Sequence, residues 1–116
     1  MRTKVESYLG FAVRARKIVF GYNQCEMAIS RRKIKLLIVA TDVAENTKKK
    51  FAKLAKEFNI PIYVYGKSED ISDICGNQMK NVFGVTDGHF ASIIQNEIEK
   101  EKALEINETG GVLIDK

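Results

Sequence analysis

Apolar side chains recur every three or four residues in five segments of the chain, and this spacing predicts five helices. The first segment follows Thr3 and Glu6, which have the spacing of a capping box. Asn23 and Glu26 repeat that spacing, and this favours a cap at the start of the second helix. The apolar stripes fall within residues 5–13, 25–29, 51–58, 71–75 and 90–98.

Four short apolar runs between these segments predict strands, at residues 18–20, 36–40, 62–65 and 82–86. The second run does not alternate with polar residues, which is typical of a strand buried on both faces. Pro61 precedes the third run, a position where a strand tolerates proline. Because helices and strands alternate along the chain, we expect an α/β sandwich with helices on both faces of the sheet.

The length of 116 residues corresponds to one domain. The longest apolar run, 36–40, is far too short to span a membrane, and MRTKVESYLG lacks the apolar stretch of a signal peptide. Cys25 and Cys75 form no CxxC pair, so we interpret them as reduced core thiols of a cytoplasmic protein. After residue 98 the pattern weakens. We expect 99–102 to extend the last helix into solvent, a turn-rich break at 107–111, and a mobile or lightly held tail.

The net charge of +4 is distributed unevenly. Residues 1–58 contain 14 Lys/Arg and 5 Asp/Glu, a net charge of +9, whereas 59–116 contain 5 and 10, a net charge of −5. A basic half indicates a polyanionic partner. Most of its cations fit a solvated face or a helix C-terminus, but Lys48–Lys50 stand near a helix start, where cations oppose the helix dipole.

Residue types that carry catalysis are scarce. His89 is the only histidine, and Cys25 lies on an apolar helix face where thiols are usually inert. No phosphate-binding glycine loop, dinucleotide fingerprint or cluster of metal ligands occurs in the sequence. We therefore predict a protein that is not an enzyme and that needs no cofactor or metal.

Two turns could bind a ligand. In the first, Gly21-Tyr22-Asn23-Gln24, a strand leads into a helix whose N-terminal N–H groups suit phosphate oxygens. The amides of Asn23 and Gln24 could contact base edges, or Asn23 could simply cap the helix with Glu26 completing the box. The second turn, residues 76–80, is by itself only a loop before a strand.

Several ordered motifs resemble the kink-turn-binding ribosomal protein family of L-seven-Ae type. Leu9-Gly10-Phe11-Ala12, with Arg14, Lys17 and Gly21 after it, is similar to the family's opening. The run from Lys35 to Asp42 is similar to its second strand and acidic turn, and Asn46-Thr47-Lys48-Lys49-Lys50 to its bacterial YlxQ-like branch. Further matches are Ile60-Pro61, residues 71–76, and 83–87 with Phe90. The resemblance covers roughly residues 4–98.

The resemblance implies a three-layer α-β-α sandwich with a small mixed four-stranded sheet, as a domain over residues 1–98 followed by an extension over 99–116. It also implies binding of RNA, typically a kink-turn, whose internal loop exposes base edges. Two loops would contact the RNA, and nearby cations would neutralise its phosphates. The loop residues are Gly21, Tyr22, Asn23, Gln24, Gly76, Asn77, Gln78 and Met79; the others are Arg16, Lys17, Met27, Arg31 and Lys35.

Three positions depart from the family pattern. Met27 stands where kink-turn binders usually have lysine, Gln24 where they have glutamate, and Asn77 where they have an apolar residue. The sequence thus predicts a small cytoplasmic protein that binds a bent or kink-turn-like structured RNA, ribosomal or messenger, and is linked to the ribosome or translation, with no membrane partner. The alternative is a protein-interaction scaffold of the same fold, which would use the acidic half and the tail.

Overall fold

Five helices and four strands alternate along residues 3–76 and 79–109, which the computed structural model describes, with side chains described as far as residue 102. The elements are α1 (Lys4–Arg14), β1 (Ile18–Phe20), α2 (Tyr22–Ser30), β2 (Leu36–Val39), α3 (Glu45–Phe58), β3 (Ile62–Val64), α4 (Ser68–Ile74), β4 (Val82–Val85) and α5 (Gly88–Thr109). The predicted fold class is confirmed.

The first two helices begin differently. At α1 the capping box is confirmed, since the Glu6 N–H donates to Thr3 Oγ1 at 3.1 Å and the Thr3 N–H donates to Glu6 Oε1 at 3.0 Å. At α2 the predicted cap is wrong. The N-cap is Gly21, with φ of 105° and no side-chain cap, so Asn23 lies inside the first turn of the helix. Glu26 pairs with Lys50 instead of completing a box.

The sheet has the strand order β1-β4-β2-β3. β4 runs antiparallel to both of its neighbours, and β2 runs parallel to β3. The sheet is therefore mixed, as the resemblance implies. Because of these directions, the last residues of β1, β2 and β3 and the first residue of β4 lie at the same end of the sheet.

Each face of the sheet carries its own apolar core. Leu36 and Ile38 of β2 point to a core shared with α1, α4 and α5, whereas Leu37 and Val39 point to a core shared with α2 and α3. All four side chains are fully buried, so β2 is covered on both faces, as its unbroken apolar run predicts. These two cores make the three layers of an α-β-α sandwich.

Helix α5 continues past the predicted domain boundary at residue 98. Tyr63 and Tyr65, in and just after β3, donate hydroxyl hydrogen bonds to Glu99 and Glu101, respectively, and so tether this stretch to the edge strand. Glu99 and Lys100 are exposed, as expected for an extension into solvent. Residues 107–109, expected in a turn-rich break, are helical. Residues 110–116, to which the tail was assigned, lie outside the described residues.

Candidate nucleic-acid interface

The two ends of the sheet carry different groups of basic residues. We call the end where β1 to β3 finish and β4 begins the turn end, and the opposite end, where β1 and β2 begin and β4 finishes, the far end. The residues from Lys35 to Ala40 separate the two ends by about 16 Å of extended chain.

Gly21 shapes the first loop of the turn end. Its N–H donates to Val82 O at 2.9 Å, and its φ of 105° with ψ of 153° lies in a region that essentially only glycine adopts. The next three residues, Tyr22–Gln24, are exposed and form the first turn of α2. Their backbone N–H groups precede the first intrahelical bond, which Cys25 N–H makes to Gly21 O, so the turn presents a helix start to solvent.

Tyr22 is held in place by residues of α3. Its ring meets Phe51 edge to face, with the ring centroids 5.2 Å apart, and Lys50 Nζ lies 4.8 Å from its ring centroid. The same ammonium group is 2.7 Å from Glu26 Oε2, and this hydrogen bond raises the pKa of Lys50. Lys50 is therefore a permanently charged group at the edge of the turn.

The residues before β4 meet this turn directly. Ser72, buried on α4, accepts a hydrogen bond from the Lys80 N–H at 2.9 Å and donates its hydroxyl to Lys80 O at 3.0 Å. The fixed backbone places Lys80 Nζ 3.6 Å from the position that a Cβ on Gly21 would occupy. Met79 beside it is 71% exposed.

Gly76 belongs to the second predicted loop, before β4. Gly76, just past the end of α4, is exposed and has a φ of 103°, with nothing within 4 Å of the position of a Cβ. Asn77 and Gln78 lie outside the described residues.

Two hydrogen bonds accepted by the loop after β2 support the turn end. Asp42, which follows β2, accepts from the Ser68 N–H at 3.0 Å and from Ser68 Oγ at 2.7 Å. These bonds lower the pKa of Asp42 and connect the loop after β2 to the first turn of α4. The Asp42 carboxylate therefore acts at the start of α4, although in sequence it stands just before α3.

Helix α2 leads from the turn end towards the far end. Asn23, Met27 and Arg31 stand four residues apart, so they line one exposed face of the helix over about 12 Å. Met27 is 48% exposed, which places an apolar side chain in the middle of that face. Arg31 forms the C-cap of α2.

The structure does not bring all of the predicted cations to the loops. Arg16, Lys17 and Lys35 lie at the far end. Lys17 O accepts from the Thr86 N–H at 2.8 Å and the Lys35 N–H donates to Val85 O at 2.7 Å, so both residues flank the end of β4. The expectation that these three cations lie near Gly21–Gln24 is therefore wrong, and their contact with RNA stays a prediction. Residues close in sequence to the turn are separated from it because β1 and α2 each cross the molecule.

Lys50 and Lys80 are the cations that the sequence prediction missed. A signal for Lys50 was present, since Lys48–Lys50 stand at a helix start against the dipole. Lys48 and Lys49 are exposed in the same turn of α3. Lys80 lies in the second candidate turn, residues 76–80, but its proximity to Gly21 depends on the pairing of β1 with β4 and has no signal in the sequence.

Among the described residues, the two cysteines and the one histidine lie in separate surroundings. Burial raises the pKa of the Cys25 thiol to about 12 and that of the Cys75 thiol to about 11, so both stay protonated at neutral pH. His89 is exposed in the first turn of α5. Within residues 3–76 and 79–109, no His, Cys, Asp and Glu side chains group as metal ligands would. In the same part of the chain, no helix has the length and apolar character needed to cross a membrane.

Comparison with known sequences identifies a family and two informative relatives. The family model described as "Ribosomal protein L7Ae/L30e/S12e/Gadd45 family" matches residues 3–95. The RNA-binding protein YlxQ of Enterococcus faecium is 33% identical over 98 residues, which cover 84% of this chain and 94% of that protein. The large ribosomal subunit protein eL30 of Sulfurisphaera tokodaii is 32% identical over 87 residues, which cover 73% of this chain and 82% of that protein.

Solved structures share the fold. A protein of unknown function from Bacillus halodurans superposes with a TM-score of 0.82 at 30% identity, covering 84% of this chain and 99% of that one. The 15.5kD RNA binding protein of Giardia lamblia superposes with a TM-score of 0.70 at 15% identity, covering 90% of this chain and 92% of that one. The second likeness concerns the fold alone.

Proposed function

The chain belongs to the ribosomal protein L7Ae/L30e/S12e/Gadd45 family, and we propose that it binds a bent, structured RNA of the ribosome or of the translation apparatus through its turn end. The observation that carries the proposal is the turn at Gly21, which exposes a helix start and two side-chain amides beside Lys50 and Lys80. The names of its relatives, an RNA-binding protein and a ribosomal protein, support it.

The turn would contact the RNA at an internal loop. The N–H groups of Tyr22–Gln24 and the positive end of the α2 dipole suit phosphate or base oxygens. Asn23 makes no side-chain hydrogen bond within the described residues, so its amide can pair with a base edge. Base edges of this kind are accessible in RNA where a loop or bend opens the helix, and A-form grooves hide them elsewhere.

Lys50 and Lys80 would orient the RNA without selecting its sequence. Lys80 presents its ammonium group beside the turn, and the Lys50 ammonium lies over the Tyr22 ring, where it also pairs with Glu26. Phosphate contacts made by such groups fix register and orientation. In this proposal the two lysines supply the charge that Met27 lacks. Met27 then leaves an apolar contact on α2 in place of a charge-assisted one, which lowers the affinity for a kink-turn without removing the contacts of the turn itself.

A scaffold that uses the acidic half is less well supported. Glu99 and Glu101 of α5 accept hydrogen bonds from Tyr63 and Tyr65, so these carboxylates already serve to hold the helix on the sheet. The described cysteines and histidine provide no nucleophile and base pair either. We therefore assign the chain a binding role and not a catalytic one.

The decisive experiment compares Asn23→Ala with Asn96→Ala, an exposed asparagine on α5. Both variants are titrated with a kink-turn RNA and with an unbent hairpin of the same length at two salt concentrations. Loss of the Asn23 amide should weaken binding to the kink-turn RNA by about 1–3 kcal/mol, because it removes a base-edge contact. Binding to the hairpin and the melting temperature should stay unchanged, since Asn23 caps nothing.

Asn96→Ala should behave as the unmodified chain with both RNAs. Equal and weak binding to both RNAs, lost in high salt and insensitive to Asn23→Ala, would reduce the proposal to non-specific charge attraction. Partners that survive nuclease treatment in a pull-down would favour the scaffold.

A further inference from the structure

Six basic residues cluster at the far end, away from the turn. Arg14 ends α1, Arg16 and Lys17 follow it, and Arg32, Lys33 and Lys35 follow α2; all six are exposed. Lys17 and Lys35 stand on either side of the end of β4, about 10 Å apart at two strand spacings. The cluster therefore spans the end of the sheet and reaches both helix layers.

The charges in this cluster are not balanced by neighbouring carboxylates. Among residues 3–76 and 79–102, none of the six cations lies within salt-bridge distance of an acidic group. Asp87, which follows β4 at this end, accepts a hydrogen bond from the Phe90 N–H at 2.9 Å and so caps α5. Glu57, the other nearby carboxylate, is exposed on α3. The helix dipole favours cations beside α1 and α2, but it does not explain Lys17 and Lys35 at the sheet.

The backbone shows that two of these arginines occupy unfavourable positions. Arg16 and Arg32 have φ values of 61° and 59°, in the left-handed region just past the ends of α1 and α2. Glycine or asparagine is the usual residue there, as Asn59 is just past α3. Arginine does not favour this backbone conformation. What these two positions gain from arginine is therefore its charged guanidinium group.

Arg32 is also positioned for contact. Its guanidinium lies over the Phe58 ring, with Cζ 5.1 Å from the ring centroid. Arg32, Lys35 and Phe58 line a shallow cleft of about 280 Å³ together with Ile34, Asn59 and Ile60. A stacked guanidinium loses little freedom on binding and keeps its N–H groups available for phosphate oxygens.

We propose that the far end is a second RNA-binding surface, which contacts the phosphate backbone of an RNA segment other than the one held at the turn end. The proposal rests on the proposed function, because it assumes that the partner is RNA. With the two surfaces separated by the length of the sheet, one chain bridges two RNA segments. Cations outnumber the one described amide of the cleft, Asn59, so the far end holds RNA chiefly through its phosphates.

The test uses the full chain saturated with an unlabelled kink-turn RNA, to which a labelled unbent 12-base-pair hairpin is then added. Wild type should bind the hairpin in low salt and lose it as the salt concentration rises. The double variant Arg16→Gly/Arg32→Gly should bind it about tenfold more weakly, with a salt slope lower by about 0.7–0.9 for each phosphate that the variant leaves unneutralised. Its melting temperature should be unchanged or higher, because glycine suits the left-handed positions.

Lys17→Gln/Lys35→Gln should give the same weakening without the backbone effect. Lys4→Gln/Lys53→Gln removes equal charge from exposed positions on α1 and α3 and should leave hairpin binding intact. An equal weakening in that control, or hairpin binding abolished by the kink-turn RNA, would overturn the second surface. Competition by poly-aspartate as strong as that by RNA would overturn RNA as the partner.

The two proposals fail in different ways. If the turn end does not select bent RNA, Asn23→Ala has no effect, yet hairpin binding still depends on Arg16 and Arg32. If the far end is wrong, these two arginines have no effect while Asn23→Ala still weakens binding to the kink-turn RNA.

Discussion

The turn end and the far end are both basic, but they are built differently. At the turn end a glycine in an exclusive backbone conformation, two exposed amides and two lysines meet from α2, α3 and the segment before β4. Ser72 Oγ accepts from the Lys80 N–H and Asp42 Oδ1 accepts from the Ser68 N–H, and these bonds support that geometry. The far end presents six exposed cations with no comparable turn. The turn end therefore has a defined shape that can discriminate between RNA structures, whereas the far end has mainly positive charge, which attracts RNA of any structure.

The largest effect is expected for Gly21→Val, which should destroy the turn end and spare the far end. A β-branched residue at a φ of 105° is strained by about 1–3 kcal/mol, and a strain of that size corresponds to about a tenfold to hundredfold loss of affinity for bent RNA. Isothermal titration with the kink-turn RNA and the unbent hairpin measures both surfaces. Gly88→Ala, in open space with an ordinary φ, is the matched control. Unaltered binding to the kink-turn RNA by Gly21→Val would refute the role of the turn.

Met27→Lys should increase the difference in affinity between the kink-turn RNA, bound at the turn end, and the hairpin, bound at the far end. It restores the lysine of the family pattern on an exposed face of α2, where a charge-assisted contact contributes about 1.5–3 kcal/mol. Affinity for the kink-turn RNA should rise about tenfold or more, with little change for the hairpin, in a gel-shift titration. A gain of the same size on both RNAs would mean that the new charge acts without regard to RNA shape.

Ser72→Ala tests whether the buried serine positions Lys80. The substitution removes two hydrogen bonds to the Lys80 backbone, which should cost about 1–3 kcal/mol in the free energy of unfolding. Binding to the kink-turn RNA should weaken only several-fold, because the Lys80 charge remains. Urea denaturation and the same titration measure the two effects, with the exposed Ser92→Ala as control. A variant as stable as wild type would show that Lys80 is held by other contacts.

The smallest effect is expected for Asp42→Asn and depends on pH. Hydrogen bonds from Ser68 lower the pKa of Asp42 in the folded chain, so its stabilising contribution is full above the unfolded pKa of about 3.9 and disappears as the pH falls through the lowered value. The melting temperature of Asp42→Asn should therefore lie slightly below that of wild type at pH 7 and approach it at pH 3. Asp73→Asn, an exposed acid on α4, should show no such convergence. A constant gap at both pH values would contradict the assignment.

The local features of the fold could be predicted because they depend on neighbouring residues. The helical spacing after Thr3, the capping box with Glu6 and the unbroken apolar run of β2 each describe a few consecutive positions, and the structure confirms all three. The cap expected at Asn23 is wrong because the spacing of residues does not show which backbone conformation precedes a helix. Gly21 starts α2 two residues earlier through a backbone conformation that residue spacing does not reveal.

The candidate site was predictable only in part. Gly21–Gln24 form the turn end and Met79 lies in the segment that precedes β4 at the same end, whereas Arg16, Lys17 and Lys35 lie at the other end of the sheet. The sequence does not show on which surface a basic residue lies. A strand or helix of a few residues is long enough to place the residues before and after it at opposite ends of the molecule. Lys80, 59 positions from Gly21 in sequence, joins the site only because β4 runs antiparallel to β1.

The amino-acid sequence by itself determined the alternation of helices and strands, the two-sided burial of β2 and the excess of positive charge in the first half, since each follows from local periodicity and composition. Only the tertiary structure decided which cations share a surface. Strand order and direction place Lys50 and Lys80 beside the glycine turn and divide the basic half between two ends of one sheet. The physical reason is that electrostatic attraction depends on distances in space, and the pairing of the strands sets those distances.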